Sequence, residues 1–130
     1  MKLPGPNFGR TEVMITIKRV YAPPAPGDGY RVLVDRLWPR GLKREDAAID
    51  AWLKDLAPST ELRTWYGHEP SRWAEFQRRY RGEMLAPEVG PSLGELRTRA
   101  HAGTVTLLFA ARSEHENNAQ ALRTVLQDAV

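Results

Sequence analysis

The sequence predicts a small layered α/β domain: a short, mostly parallel sheet flanked by helices. Two runs, Val32-Leu33-Val34 and Thr104 to Ala111, are apolar without alternation, as in strands buried on both faces. Between and after them lie apolar residues at three-or-four spacing, the mark of amphipathic helices. The resulting order is strand, strand, several helices, strand, helix. That order places the last strand parallel to a neighbour, in two or three layers.

Each element has its own local reason. Residues 1–13, MKLPGPNFGRTEV, carry two Pro and two Gly without periodicity and read as a flexible tail. The domain then spans 14–130, and a start at Met14 would still yield all of it. Residues 14–21 put Ile15 and Ile17 on one face of a first strand. Ala22 to Gly29 is a Pro/Gly loop, and Tyr30 to Asp35 is the second strand, stopped before Pro39. Residues 43–57 fit either a helix carrying Ile49, Trp52, Leu53 and Leu56, or one helical turn followed by extended chain.

Ser59 or Thr60 caps a helix that Gly67 ends. Pro70 suits the first turn of the next helix, whose stripe is Trp73, Phe76, Tyr80 and Met84. Ser92 and Glu95 are spaced as a capping box for a helix ending at Gly103. After the strand at 104–111 comes a polar stretch. A last helix then turns Ala121, Leu122, Val125 and Leu126 inward.

Composition narrows the function classes. At 42% hydrophobic and 27% charged residues, the 130-residue chain is an ordinary globular one. It has no cysteine, which removes disulfides, thiol nucleophiles and thiolate metal ligands. No apolar run approaches the ~18–20 residues of a membrane span, and the N-terminus lacks signal-peptide order. Together these place the chain in the cytoplasm. Net charge is +3, carried by 15 Arg against 4 Lys, which suits carboxylate and phosphate partners or simply a GC-rich genome.

In open α/β sheets, ligands gather beyond the carboxyl ends of strands. Two buried strands here end in polar residues, in Asp35-Arg36 and in Arg112-Ser113. Parallel strands would bring Asp35, Arg36, Trp38 and Arg40 opposite Arg112, Asn117 and Asn118. The two asparagines would then stand in the first turn of the last helix, whose free N–H groups favour an anion. His68, between two helices, is a candidate base or donor. The expected ligand is a small anionic, phosphorylated or nucleotide-like molecule. Equally, Asp35 and Arg36 can pair internally, Trp38 can be core, and Pro39-Arg40-Gly41 can be only a turn.

Other classes are weaker. Arg72, Arg78, Arg79 and Arg81 make one helix basic enough for nucleic acid, although a solvated charged face explains them as well. A surface built on four Trp would suit self-association. No metal site is expected, because His115 lacks a second ligand at metal spacing, and nothing assigns a cofactor. There is no G-x-x-x-x-G-K-[ST], G-x-G-x-x-G or G-x-S-x-G motif, and no catalytic residue is assigned.

These segments also carry a resemblance. Ile17-Lys18-Arg19-Val20-Tyr21, the run Asp28 to Gly41 containing Val-Asp-Arg-Leu-Trp-Pro-Arg-Gly, and Ala57-Pro58-Ser59-Thr60-Glu61-Leu62-Arg63 form its first part. Trp73 with Phe76 and Tyr80, Thr106 to Ala111, and Asn117 or Asn118 with Ala119 complete it. In these the chain resembles the DUF488 family, in its YeaO-like branch, over about residues 14–128. The resemblance implies an α/β domain of unassigned function and carries over no catalytic set.

Overall fold

A strand that is apolar on both faces must be covered on both sides and belongs at the centre of a sheet. The computed structural model, which describes residues 13–128, solves this with four parallel strands. These are β1 (Ile15–Arg19), β2 (Tyr30–Leu33), β3 (Ala51–Trp52) and β4 (Val105–Phe109), in the order β1-β4-β2-β3. Every residue of the central strand β4 is buried. Its register sets Ile15 beside Val105 on one side and Tyr30 beside the same residue on the other.

The two faces of the sheet are covered differently. Helices α2 (Thr60–Tyr66), α3 (Trp73–Glu83), α4 (Gly90–Ala102) and α5 (Asn118–Asp128) share one core with Ile15, Val32, Val34, Val105, Leu107 and Phe109. The alternate strand residues, Leu33 and Leu108 with Val20, meet Trp38, Leu42, Ile49 and Trp52 instead. Trp52 belongs to β3, and the other three come from the β2–β3 connection, which holds only the four-residue helix α1 (Arg44–Ala47). The sheet therefore carries its long helices on one face and loops on the other. None of the described helices is long and apolar enough to cross a membrane.

Local expectations meet mixed outcomes. Residues 43–57 take the extended alternative: α1, then β3, then a 3-10 turn at Lys54–Leu56. Ser59 accepts from the Leu62 N–H as the α2 cap, and Gly67 ends that helix in the left-handed region. Pro70 opens a 3-10 turn that continues into α3. Phe76, Tyr80 and Met84 of the expected stripe are buried, and the Tyr80 hydroxyl donates to the Leu56 carbonyl. The Ser92–Glu95 capping box does not form, because α4 already starts at Gly90 with Pro91 in its first turn. Proline's fixed φ favours that earlier start. Of the expected tail, residues 1–12 lie outside the described residues, while Val13 packs against the core.

Arg31 fastens the loop-covered face, and nothing in the sequence singled it out. Only 5% exposed, it donates to the carbonyls of Ala47 and Ala48 and pairs with Asp28. Asp28 also pairs with Lys18 from β1, and its carbonyl accepts from the Thr106 hydroxyl on β4. Burial pushes the Asp28 carboxyl up, but bonds from the Ala25 N–H, Lys18 and Arg31 outweigh it. The net result is a carboxyl held below its ordinary 3.8.

Two outcomes follow. A Cβ at Gly29, where φ is +64°, would collide with the Thr104 carbonyl oxygen that accepts the Tyr30 N–H. Gly29→Ala should therefore lower the urea-unfolding free energy by more than about 1 kcal/mol, whereas Gly27→Ala, in open space, should stay within about 0.5 kcal/mol. Because the folded value of Asp28 is depressed, its stabilisation is present above 3.8 and lost as pH falls through the lower folded value. The stability gap between wild type and Asp28→Asn should accordingly narrow in acid.

Candidate functional site

Strands β2 and β4 are neighbours and parallel, so their carboxyl ends open on the same edge of the sheet. The chain leaves them in opposite directions. After β2 it turns towards β3, and after β4 it enters α5, which packs on β1 and β4. That divergence leaves a crevice where open α/β sheets bind ligands. Here it is a cleft of about 370 Å³, within the ~300–1,000 Å³ of small-molecule pockets.

One wall is the segment from Asp35 to Arg40, and the other is built from Ala110, Ala111, Asn117 and Asn118. Pro58, Arg63, Tyr66, His68 and Phe76 close the third side. The structure thus gathers Asp35, Arg36, Trp38, Arg40, His68, Asn117 and Asn118 around one space. Arg112 is not among the lining residues and is exposed, because the chain bends outward after Ala111. Arg63 takes a place in the wall that sequence reading did not give it. It is one of several exposed arginines, and only the packing of α2 aims it at the cleft.

Asp35 is the structural node of the site. Its carboxylate accepts from the Asn118 amide at 2.9 Å on one oxygen and from the Ala110 N–H at 3.0 Å on the other. Its backbone carbonyl accepts from the Trp52 indole at 2.7 Å. The Asn118 amide also donates to the Val34 carbonyl. Burial raises the Asp35 carboxyl above its ordinary value, against the pull of these bonds and of the nearby Arg63 and His68. Each of its oxygens thus accepts one side-chain or backbone bond from the protein.

The other residues divide between holding and lining. Trp38 donates to the Leu42 carbonyl, meets Trp52 edge to face at 5.4 Å and lies under the Arg44 guanidinium, so much of it is structural. The Asn117 side chain caps α5 by accepting from the Gln120 N–H. The Tyr21 hydroxyl donates to the Arg40 carbonyl and braces the Asp35–Arg40 wall from β1's side. His68 holds φ +58° directly after Gly67 at +53°, a left-handed pair that turns its side chain to the cleft. A non-glycine residue there is uncommon.

Arg36 differs from these. Its long 3.4 Å bond to the Pro58 carbonyl uses one terminal nitrogen, and its buried Nε has no partner among the described residues. Among those residues, Arg36, Arg40 and Arg63 form no ion pair.

The competing surfaces are less open. Arg78 and Arg79 pair with Glu75, Arg81 pairs with Asp128, and Arg72 donates to the Trp65 carbonyl. All four Trp are half-buried rather than displayed on one surface. Among the described residues, no cluster of three His, Cys, Asp or Glu could hold a metal.

Fold and site together define an all-parallel α/β domain with a cleft at the carboxyl ends of its central strands. Residues 14–130 match the family model described as "Inactive DUF488-N3 subclade", and the chain belongs to the DUF488 family. It is 43% identical over 109 residues to the uncharacterized protein YeaO of Escherichia coli K12, covering 83% of this chain and 92% of that one. It is 41% identical over 115 residues to the uncharacterized protein Rv3073c of Mycobacterium tuberculosis H37Rv, covering 88% and 95%. No solved structure matches it significantly.

Asp35→Ala would strip the acceptors from the Ala110 N–H and the Asn118 amide at once. A loss of about 2–4 kcal/mol in urea unfolding is expected, and a loss below about 1 kcal/mol would contradict the node. A raised folded carboxyl titrates with the opposite sign to Asp28. Its contribution is fullest below 3.8 and falls as pH rises through the folded value. The gap between wild type and Asp35→Asn should therefore widen in acid.

Proposed function

We propose that this chain is a binding module that holds a small anionic ligand in the cleft and does not transform it. The observation that carries this reading is the imbalance of the cleft lining. Three arginines, Arg36, Arg40 and Arg63, line the cleft, against one carboxylate among the described residues, Asp35, which accepts a protein hydrogen bond on each oxygen. A guanidinium presents donors in a planar fork suited to carboxylate or phosphate. The imidazole of His68 adds a further polar contact.

Absence of turnover is supported from two sides. Among the described residues, the lining holds no serine, threonine, cysteine or lysine to act as a nucleophile. The family model that matches the chain is described as inactive. Phosphorylated or nucleotide-like ligands fit this reading. Nucleic acid is not favoured, since the arginines of α3 that would meet it are engaged within the protein.

The test is ligand-dependent thermal stability. Inorganic phosphate, aryl phosphates and nucleoside monophosphates at concentrations well above Kd should raise the melting temperature. At about 100 times Kd the gain is about 2.7 kcal/mol. Arg63→Ala and Arg36→Ala should keep the native circular dichroism spectrum and lose most of that shift. If no anion shifts the transition, or if both variants respond like wild type, the reading is wrong.

A further inference from the structure

Resting on the anion-binding reading, we infer that the anion is a carboxylate carried on an acidic segment of a partner protein. An apolar side chain of that segment covers the rim of the cleft. The first ground is where the exposed apolar surface lies. Among the described residues, four large hydrophobic side chains stand exposed: Met14, Tyr21, Leu37 and Leu85. Two of them, Tyr21 at 41% and Leu37 at 66%, line this one cleft. A single exposed leucine needs no explanation, but exposed apolar residues gathered with cations around a concavity mark an interface.

The second ground is charge. Arg40 and Arg63 are exposed, line the cleft and form no ion pair among the described residues. Arg40 comes from the segment after β2 and Arg63 from α2, so the charge is divided between two elements. The apolar rim is continuous with it. The Tyr21 hydroxyl donates to the Arg40 carbonyl at 2.8 Å, and Leu37 precedes Arg40 on the same wall. The whole chain is itself basic, at net charge +3, so a second copy is a poor occupant. An acidic segment complements both features, with carboxylates for separate arginines and an apolar side chain for the rim.

The third ground is the state of the rings. Unpaired nucleic acid is held by stacking successive bases on open aromatic side chains. Of the lining rings, Tyr66 and Phe76 are buried, and Trp38 lies under the Arg44 guanidinium. Tyr21 alone is left, with the Arg19 guanidinium already over its ring at 5.2 Å. That is no track for bases. An anionic bilayer is gripped by a broad apolar face, and two side chains bordering a concavity do not make one.

Fluorescence anisotropy of the full chain with labelled peptides separates the outcomes. Glu-Glu-Leu-Glu-Glu should bind at least about tenfold more tightly than Glu-Glu-Ser-Glu-Glu, the factor that burial of one leucine-sized contact supplies. Lys-Lys-Leu-Lys-Lys should not bind. Leu37→Ser, a surface change, should bring the two acidic peptides to equal affinity. Arg63→Glu should weaken the leucine-bearing one by at least about tenfold. Inorganic phosphate, an oligothymidylate and phosphatidylserine vesicles are titrated alongside. If phosphate binds and neither acidic peptide does, or if a leucine preference is absent or survives in Leu37→Ser, the protein partner is overturned and small-anion binding stands. Tighter binding of the oligothymidylate or the vesicles than of the acidic peptides would overturn it as well. So would a dimer in solution that Leu37→Ser dissociates, which assigns the rim to a second copy. Failure of phosphate and peptides alike would remove the underlying reading itself.

Discussion

The carboxylate of Asp35 is the constraint on which the cleft edge of the molecule depends. It stands just past β2, bonds to the backbone just past β4 and holds the first residue of α5, while its carbonyl receives the indole of Trp52 from β3. One residue therefore fixes the relative height of three strand ends and a helix start. A carboxylate this buried is tolerated because donors meet both of its oxygens. Burial still raises its carboxyl above the ordinary value, at the point where the chain diverges and the crevice opens.

A second constraint acts on the opposite side. A parallel sheet has two apolar faces, yet the long helices of this chain cover only one. The other is closed by connections, which have no intrinsic tendency to lie flat. Arg31 and Asp28 supply what periodicity cannot, through bonds to the carbonyls of Ala47 and Ala48 and an ion pair inside the loop layer. The same layer carries Trp38 and the wall residues Arg36 to Arg40. Holding the loop face in place is thus also what holds one side of the cleft.

Most of the framework was legible in the residues. Val32 to Val34 and Val105 to Phe109 announce buried strands because no alternation interrupts them, and Ser59 and Gly67 mark helix ends by local chemistry. The capping box at Ser92 failed because Pro91, one residue earlier, had already committed the helix. Residues 43–57 were ambiguous because Ile49, Trp52, Leu53 and Leu56 satisfy helical spacing while the real constraint on Trp52 is a distant carbonyl. Arg31 carries no local sign of its role, since the carbonyls it holds lie sixteen and seventeen residues away.

By itself the sequence determined the class of fold, the parallel pairing of its buried strands and the stretch from Asp35 to Arg40 as one wall of a crevice. These depend on local hydrophobicity and on where strands stop, both written in consecutive residues. Only the tertiary structure decided which charges face that crevice. It turned Arg112 outward, brought in Arg63 from α2, and assigned Asp35, Asn117 and Asn118 largely to holding the site together. Side-chain direction at a loop or helix surface is set by packing between elements far apart in the chain, and no local pattern encodes it.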